Sequence, residues 1–169
     1  RLYRINDRNL VSQINQNKLR QLLYGYDARR IQNEVGELVW TGSMAIEKAL
    51  NKQVTTAVPA AEILKQPKPG VYVLLARGKD DKKRYGRWAT QWLVISDLGI
   101  STYQGQDGLT VFVRSFASAK PLPGAQVSLV ARNNKVLGTA VADDTGRVSF
   151  APGLVRGAGG DRPAAVMVS

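Results

Sequence analysis

Apolar residues recur along this chain with two different periods, and the change between them organises the reading. Leu2 and Ile5 mark a short strand pattern, with Tyr3 able to pack on either face. Asp7 is placed to cap a helix, because a carboxylate there accepts from an otherwise unpaired backbone N–H of the first turn. Leu10, Val11, Ile14, Leu22 and Leu23 then return at helical spacing, interrupted at the polar Asn17 and Lys18, and Gly25 is a fitting stop. The spacing predicts one helix over residues 7–24, lying on the first sandwich and burying Leu10, Ile14 and Leu22 or Leu23.

From Glu37 the period drops to two. Leu38 and Trp40 alternate with Glu37, Val39 and Thr41, and residues 53–58 form a β-branched run ended by Pro59. Residues 71–76 and 90–96 are apolar runs of strand length, joined by a charged stretch over 77–88, which predicts a hairpin with a long polar tip. Asp97, Leu98 and Gly99 break the pattern, and a domain boundary is expected there, dividing the chain into 1–98 and 99–169. In the second part Leu109, Val111 and Val113 alternate with Thr110, Phe112 and Arg114. Turns are expected at Asp107–Gly108, around Pro121, Pro123 and Gly124, at Asn133–Asn134, and at Asp144–Thr145–Gly146. Short strands between such turns predict an antiparallel β-sandwich, with no helix after Gly99.

Composition narrows the chemistry. The chain of 169 residues has no Cys and no His, so disulfides, thiolate nucleophiles, imidazole relays and Cys-ligated or His-ligated metals are all excluded. Any catalysis would run on carboxylates, Lys, Tyr or hydroxyls. No apolar run approaches the roughly 20 residues that span a bilayer. The chain opens on Arg1 and stops at Ser169 inside a strand pattern, so both ends are expected to be cuts in a longer protein that has lost any targeting segment.

Net charge is +11, of which +8 falls in residues 1–98 and +3 beyond. Its densest cluster is Arg77, Lys79, Lys82, Lys83, Arg84 and Arg87, with Tyr85 and Trp88 nearby and Asp80 and Asp81 at the centre. Basic loops with aromatics bind single-stranded nucleic acid. Two central aspartates oppose phosphate, however, and a hairpin tip is polar simply because it is solvated, so a mobile, dispensable tip is the expectation. Asp143 and Asp144 offer oxygens to a calcium ion, but too few for six-fold coordination, and Asp-x-Gly is foremost a turn formula. Glu34 and Glu37 are the nearest pair of acids, and nothing marks them as a general acid and base. Gly157, Ala158, Gly159 and Gly160 lack the Lys-Ser/Thr and helix of a phosphate loop. Trp40, Trp88 and Trp92 read as packing residues rather than a ligand box. No catalytic, cofactor-binding or metal-binding residue is assigned.

The order of these features resembles the bacterial α-2-macroglobulin-like proteins. The likeness is carried by the strand and helix of residues 1–24, by Leu38-Val39-Trp40-Thr41-Gly42, by Pro69-Gly70-Val71-Tyr72-Val73 and by Ile95-Ser96-Asp97-Leu98-Gly99-Ile100-Ser101. Pro123-Gly124-Ala125-Gln126-Val127 with Asp144-Thr145-Gly146-Arg147-Val148 adds a cadence shared by many sandwich modules. The resemblance implies a mainly β protein of two consecutive fibronectin-like antiparallel β-sandwich (macroglobulin-like) domains, the first with an inserted α-helix. It further implies that the first domain lacks its opening strands and the second its closing strand.

By the same resemblance the function is that of a non-catalytic structural segment of a periplasmic protease inhibitor, part of the shell around a trapped protease and a dock for envelope proteins. The partners implied are target endopeptidases, reached through the full-length protein, and other periplasmic or envelope proteins, in host–pathogen defence. Nucleic acid and direct membrane insertion are not implied, and anchoring to the inner membrane would use a segment outside this chain. No residue matches the family's C-x-E-Q thioester motif, so no functional residue is carried over. The alternatives are an adhesion or carbohydrate-binding β-sandwich module, which an exposed row of aromatics on one sheet face would favour, and a basic nucleic-acid-binding domain, motivated by the charge.

Overall fold

A computed structural model describes the chain except residues 47–53, 66, 80–85 and 87. The backbone divides into two compact units, one formed by residues 1–6 and 22–95, the other by residues 7–21 and 96–169.

The first unit is built on an antiparallel sheet of order β2-β1-β3-β4, with β1 at Leu2–Ile5, β2 at Gly36–Trp40, β3 at Gly70–Ala76 and β4 at Ala89–Ile95. Alternation sets its two faces. Tyr3 pairs with Val73 and Val73 with Trp92, so these side chains share one face. That face is covered by helical turns: α2 (Gly25–Arg30) runs straight into a π-helical turn at Ile31–Val35, and Ala28, Ile31 and Val35 close over Tyr3, Ile5, Val73 and Leu75. A further short helix, α3, spans Ala60–Ile63. Residues 54–58 of the β-branched run are not in a strand, and residue 53 lies outside the described residues.

The predicted helix is shorter than its sequence pattern. The first helix, α1, covers Asp7–Asn15, and a 3₁₀ turn follows at Lys18–Arg20. Between them Asn17 sits at φ 56°, a left-handed conformation that ends a helix and that Asn tolerates better than most residues. From Gln21 the chain is extended, so neighbouring side chains point opposite ways: Leu23 is 1% exposed and Leu22 50%. Val11 and Gln13 are buried, whereas Ile14 is exposed and Leu10 only half-buried. The α1 segment interrupts the first unit in sequence but groups with the second, where the Asn15 side-chain amide donates to the Arg132 carbonyl at 2.8 Å.

The second unit is a sandwich of two three-stranded antiparallel sheets. One has the order β5-β6-β9, with β5 at Leu98–Gly105, β6 at Gly108–Ser115 and β9 at Arg147–Phe150. The other has the order β10-β7-β8, with β7 at Gln126–Ala131, β8 at Val136–Val141 and β10 at Pro163–Val168. Leu109, Val111, Val113, Val148 and Phe150 from the first sheet meet Val127 and Leu129 from the second. The only helical structure described after Gly99 is two 3₁₀ turns, Pro152–Val155 and Gly159–Asp161, the second of which takes up part of the Gly-rich stretch.

Candidate functional site

The acids singled out by sequence are employed in structure. Asp143 accepts, through one carboxylate oxygen, from the Thr145 N–H at 2.9 Å, the Thr145 hydroxyl at 2.6 Å and the Arg147 N–H at 2.9 Å. These bonds, the Thr145 hydroxyl foremost, hold its carboxyl below the usual carboxylate range. Gly146 completes the turn at φ 72°, where an added Cβ would run into the Val113 carbonyl. This is a turn, not a cation cage, and no group of three His, Cys, Asp or Glu fit to hold a metal exists among the described residues. Glu34 lies 3.6 Å from Arg30 on the same helical stretch, and Glu37 lies 3.9 Å from Arg4, both exposed pairs of small energetic weight. The structure does not bring these two acids to one pocket.

The tryptophans separate. Trp88 and Trp92 pack on the first unit's core, while Trp40 is half-buried and lines a cleft of about 570 Å³ with Arg4, Glu37, Lys65 and Tyr72. Charges of both signs line that cleft, Arg4, Lys65 and Lys68 with Glu37 and Glu62. Arg4 donates to the Pro69 carbonyl at 2.9 Å, and Tyr72 donates to the Lys68 carbonyl at 2.6 Å.

The basic tip falls mostly on residues 80–85 and 87, outside the described residues, and the expected mobility and dispensability of 77–88 go with them. Its ends are held. The Arg77 guanidinium lies 4.8 Å above the Trp88 ring, a cation–π contact. Trp88 N–H donates to the Leu23 carbonyl and Gly25 N–H to the Gly86 carbonyl, each at 2.9 Å.

What sequence reasoning missed is the solvent face of the β5-β6-β9 sheet. The register places Gly99, Ser101 and Tyr103 beside Arg114, Phe112 and Thr110, and Phe112 and Thr110 beside Arg147 and Ser149. These residues all point away from the core that Val111, Val113 and Val148 fill. Tyr103, 65% exposed, meets Phe112 edge-to-face at 5.9 Å and 84°. The ring of Phe116, 73% exposed, lies over Gly99, where an added Cβ would come within 3.3 Å of it. Three aromatics and two arginines thus share a face whose strand positions carry no carboxylate. The signal for it was present as alternation, Phe112 and Arg114 falling opposite to Val111 and Val113, but the pairing that adds Tyr103 and Arg147 is tertiary.

Comparison with known proteins covers both units. The family model described as the bacterial alpha-2-macroglobulin MG2 domain matches residues 1–87, and that of the bacterial alpha-2-macroglobulin MG3 domain matches residues 95–169. The alpha-2-macroglobulin of Escherichia coli K12 is 25% identical over 148 residues, covering 88% of this chain and 9% of the relative. An alpha-2-macroglobulin homolog of Yersinia pestis is 36% identical over 96 residues, covering 48% of this chain and 5% of the relative. The chain therefore spans less than a tenth of the length of these relatives. Among solved structures, native E. coli alpha-2-macroglobulin spanning domains NIE–MG1 superposes with a TM-score of 0.70 at 23% identity, over 89% of this chain and 71% of that one. The Salmonella alpha-2-macroglobulin mutant Y1175G gives 0.60 at 20% identity, over 89% and 8%.

Proposed function

Since the chain belongs to the bacterial alpha-2-macroglobulins, through their MG2 and MG3 domains, we propose that it is a non-catalytic structural segment of a periplasmic protease inhibitor. In this reading it forms part of the shell around a trapped endopeptidase and docks envelope partners. The observation that carries the reading is the match of consecutive macroglobulin domains along almost the whole chain.

The mechanism follows from that role. Cleavage of a bait segment elsewhere in the full-length inhibitor rearranges its domains, which close on the protease. The present chain takes part, in this reading, as folded units at 1–98 and 99–169, because sandwich cores hold together while linkers move. Anchoring at the inner membrane, in this reading, uses a segment outside the chain; among the described residues no helix is long and apolar enough to cross a bilayer.

The test has two arms. Excess chain incubated with elastase-like and trypsin-like proteases should leave hydrolysis of small and protein substrates unchanged. The E. coli relative, with its corresponding segment replaced by this chain, should still protect a trapped protease from large substrates. Saturable inhibition by the chain alone, or loss of trapping by a folded chimaera, would overturn the reading. The adhesion or carbohydrate alternative draws on the aromatic face of the second unit, yet its best-defined ring pair is nearly perpendicular and offers no flat platform for successive sugars.

A further inference from the structure

Strand β5 is an edge without the usual protection. It pairs with β6 in unbroken register from Leu98 opposite Ser115 to Gly105 opposite Gly108, and among the described residues it pairs with nothing on its other side. Natural edge strands are blunted by Lys, Pro, bulges or a covering element. The β5 sequence, Leu-Gly-Ile-Ser-Thr-Tyr-Gln-Gly, has no charge and no Pro, and its last six residues are all exposed.

The hydrogen bonds fix which main-chain groups face outward. Val113 N–H donates to the Gly146 carbonyl at 2.8 Å and its carbonyl accepts from Leu122 N–H at 3.0 Å, so Val113 directs its amide groups away from β5. Phe116 N–H donates to the Asp97 carbonyl at 2.8 Å, which puts that pair among the bonded ones. Antiparallel alternation then turns the N–H and C=O groups of Leu98, Ile100, Thr102 and Gln104 toward the open edge. Leu98 N–H is taken by the Ser96 hydroxyl at 2.9 Å. Ile100, Thr102 and Gln104 are left as a ready template.

We propose that an extended acidic segment of a separate partner protein adds to β5 as a new strand. This deepens the docking part of the proposed function and rests on it. Main-chain bonds to Ile100, Thr102 and Gln104 give affinity, as in other strand additions, and the neighbouring side chains select the sequence. Side chains of an added strand alternate between two environments. One set lies beside Ile100, which is 43% exposed. The other lies over the solvent face, beside Phe116 and Tyr103, toward Arg114.

Arg114 stands about 10 Å from an added strand, two strand spacings away, within the combined reach of an Arg and a Glu side chain passing beside the Phe116 ring that lies over Gly99. Among the described residues its guanidinium donates to the neutral Ala119 carbonyl, at 3.3 Å. Arg147, a strand further in, adds to the field rather than making contact. Of the nearby acids, Asp97 is engaged with Ala117 N–H at 2.8 Å and Asp143 in its own turn, where it also lies near Arg147, while Asp107 stands at the turn beside Gly105, at the end of β5 away from Gly99 and Arg114. Aromatics and Arg are also the residues enriched at protein interfaces.

The experiment uses the 169-residue chain and a fluorescent ten-residue peptide in which Glu alternates with Val and Thr, alongside its Lys counterpart and polygalacturonate. The Glu peptide should bind saturably, the Lys peptide at least about tenfold more weakly, and affinity should fall with salt. Thr102→Pro removes an edge N–H at a position where strands tolerate Pro, so it should keep the wild-type circular dichroism and lose about tenfold or more in peptide affinity. Arg114→Gln should lose severalfold and flatten the salt dependence. Hydrogen exchange on the wild-type chain reads the same edge without a variant, and the amides of Ile100, Thr102 and Gln104 should slow about tenfold or more with peptide bound. Unslowed amides at these positions, equal binding of both peptides, or tighter binding of polygalacturonate would each overturn the proposal. Trapping by the chimaera above alongside failure here would remove the docking site and leave the shell reading standing.

Discussion

The two units bury their cores against different partners. In the second, sheet lies on sheet, and every residue of the central cluster bar Ala142 comes from a strand: Leu109, Val111, Val113, Val127, Leu129, Val148 and Phe150. In the first, a single described sheet is closed by helical turns, with Ala28, Ile31 and Val35 in the place a second sheet would take and Leu23 reaching in from an extended segment. Strand-on-strand packing repeats one simple period, and each inward side chain finds its partner through register. Closure by a short helix that passes into a π turn depends on where one segment docks, and a change of one residue in that segment reverses which side chain is inside. The first unit's core thus hangs on a few anchoring bonds. Leu23 N–H donates to the Thr90 hydroxyl at 3.1 Å, and the Leu23 carbonyl accepts from Trp88 N–H.

The largest expected effect tests whether the two cores are separate. Phe150→Ala should cost the second unit about 3–5 kcal/mol, the usual range for a buried aromatic. All three tryptophans belong to the first unit, so the loss should appear in the circular dichroism melt and move the tryptophan fluorescence transition much less. Equal shifts by both probes would show one cooperative core.

The mirror experiment is Leu23→Ala, expected to cost about 2–5 kcal/mol and to appear in tryptophan fluorescence, with Leu22→Ala within about 0.5 kcal/mol of wild type. A reversal of the two would place the helical register over residues 22–23 after all. The smallest effect concerns acid. Asp97 and Asp143, both in the second unit, have carboxyls held below their usual value by hydrogen bonds, for Asp97 the Ser115 hydroxyl foremost and then the Ala117 N–H. A depressed folded-state value means that their contribution is full above the ordinary carboxylate pKa of about 4 and is lost as pH falls through the lower folded value. The second unit should therefore soften below about pH 4, and Asp97→Asn with Asp143→Asn should reduce that slope. An unchanged acid slope in the double variant would show that other carboxylates carry it.

Much of the second unit was legible because its side chains obey the pleat. The alternation of Val111 and Val113 with Phe112 and Arg114 named both the strand and its inner face, and the Gly and Asn turns marked where strands end. The hairpin of β3 and β4 was legible for the same reason. The helix over residues 7–24 was overread: Leu22 and Leu23 fit its spacing, but Asn17 in a left-handed conformation had already ended it. The helices at 25–35 carried no comparable signal, because a six-residue helix buries only Gly25 and Ala28, too few positions to establish a period.

Sequence by itself determined the strand faces, the turns, the chemical exclusions that follow from having neither Cys nor His, and the family likeness, because each of these depends on residue type and near-neighbour spacing. Only the tertiary structure decided that α1 groups with the second unit, that Leu23 rather than Leu22 is buried, and that β5 exists as a long open edge. A strand exposed on both faces needs no apolar alternation, so Ser101, Thr102, Tyr103 and Gln104 spell nothing until β6 pairs with them. The face that gathers Tyr103, Phe112, Phe116, Arg114 and Arg147 is assembled from residues as far apart in sequence as 103 and 147, and only strand register brings them together.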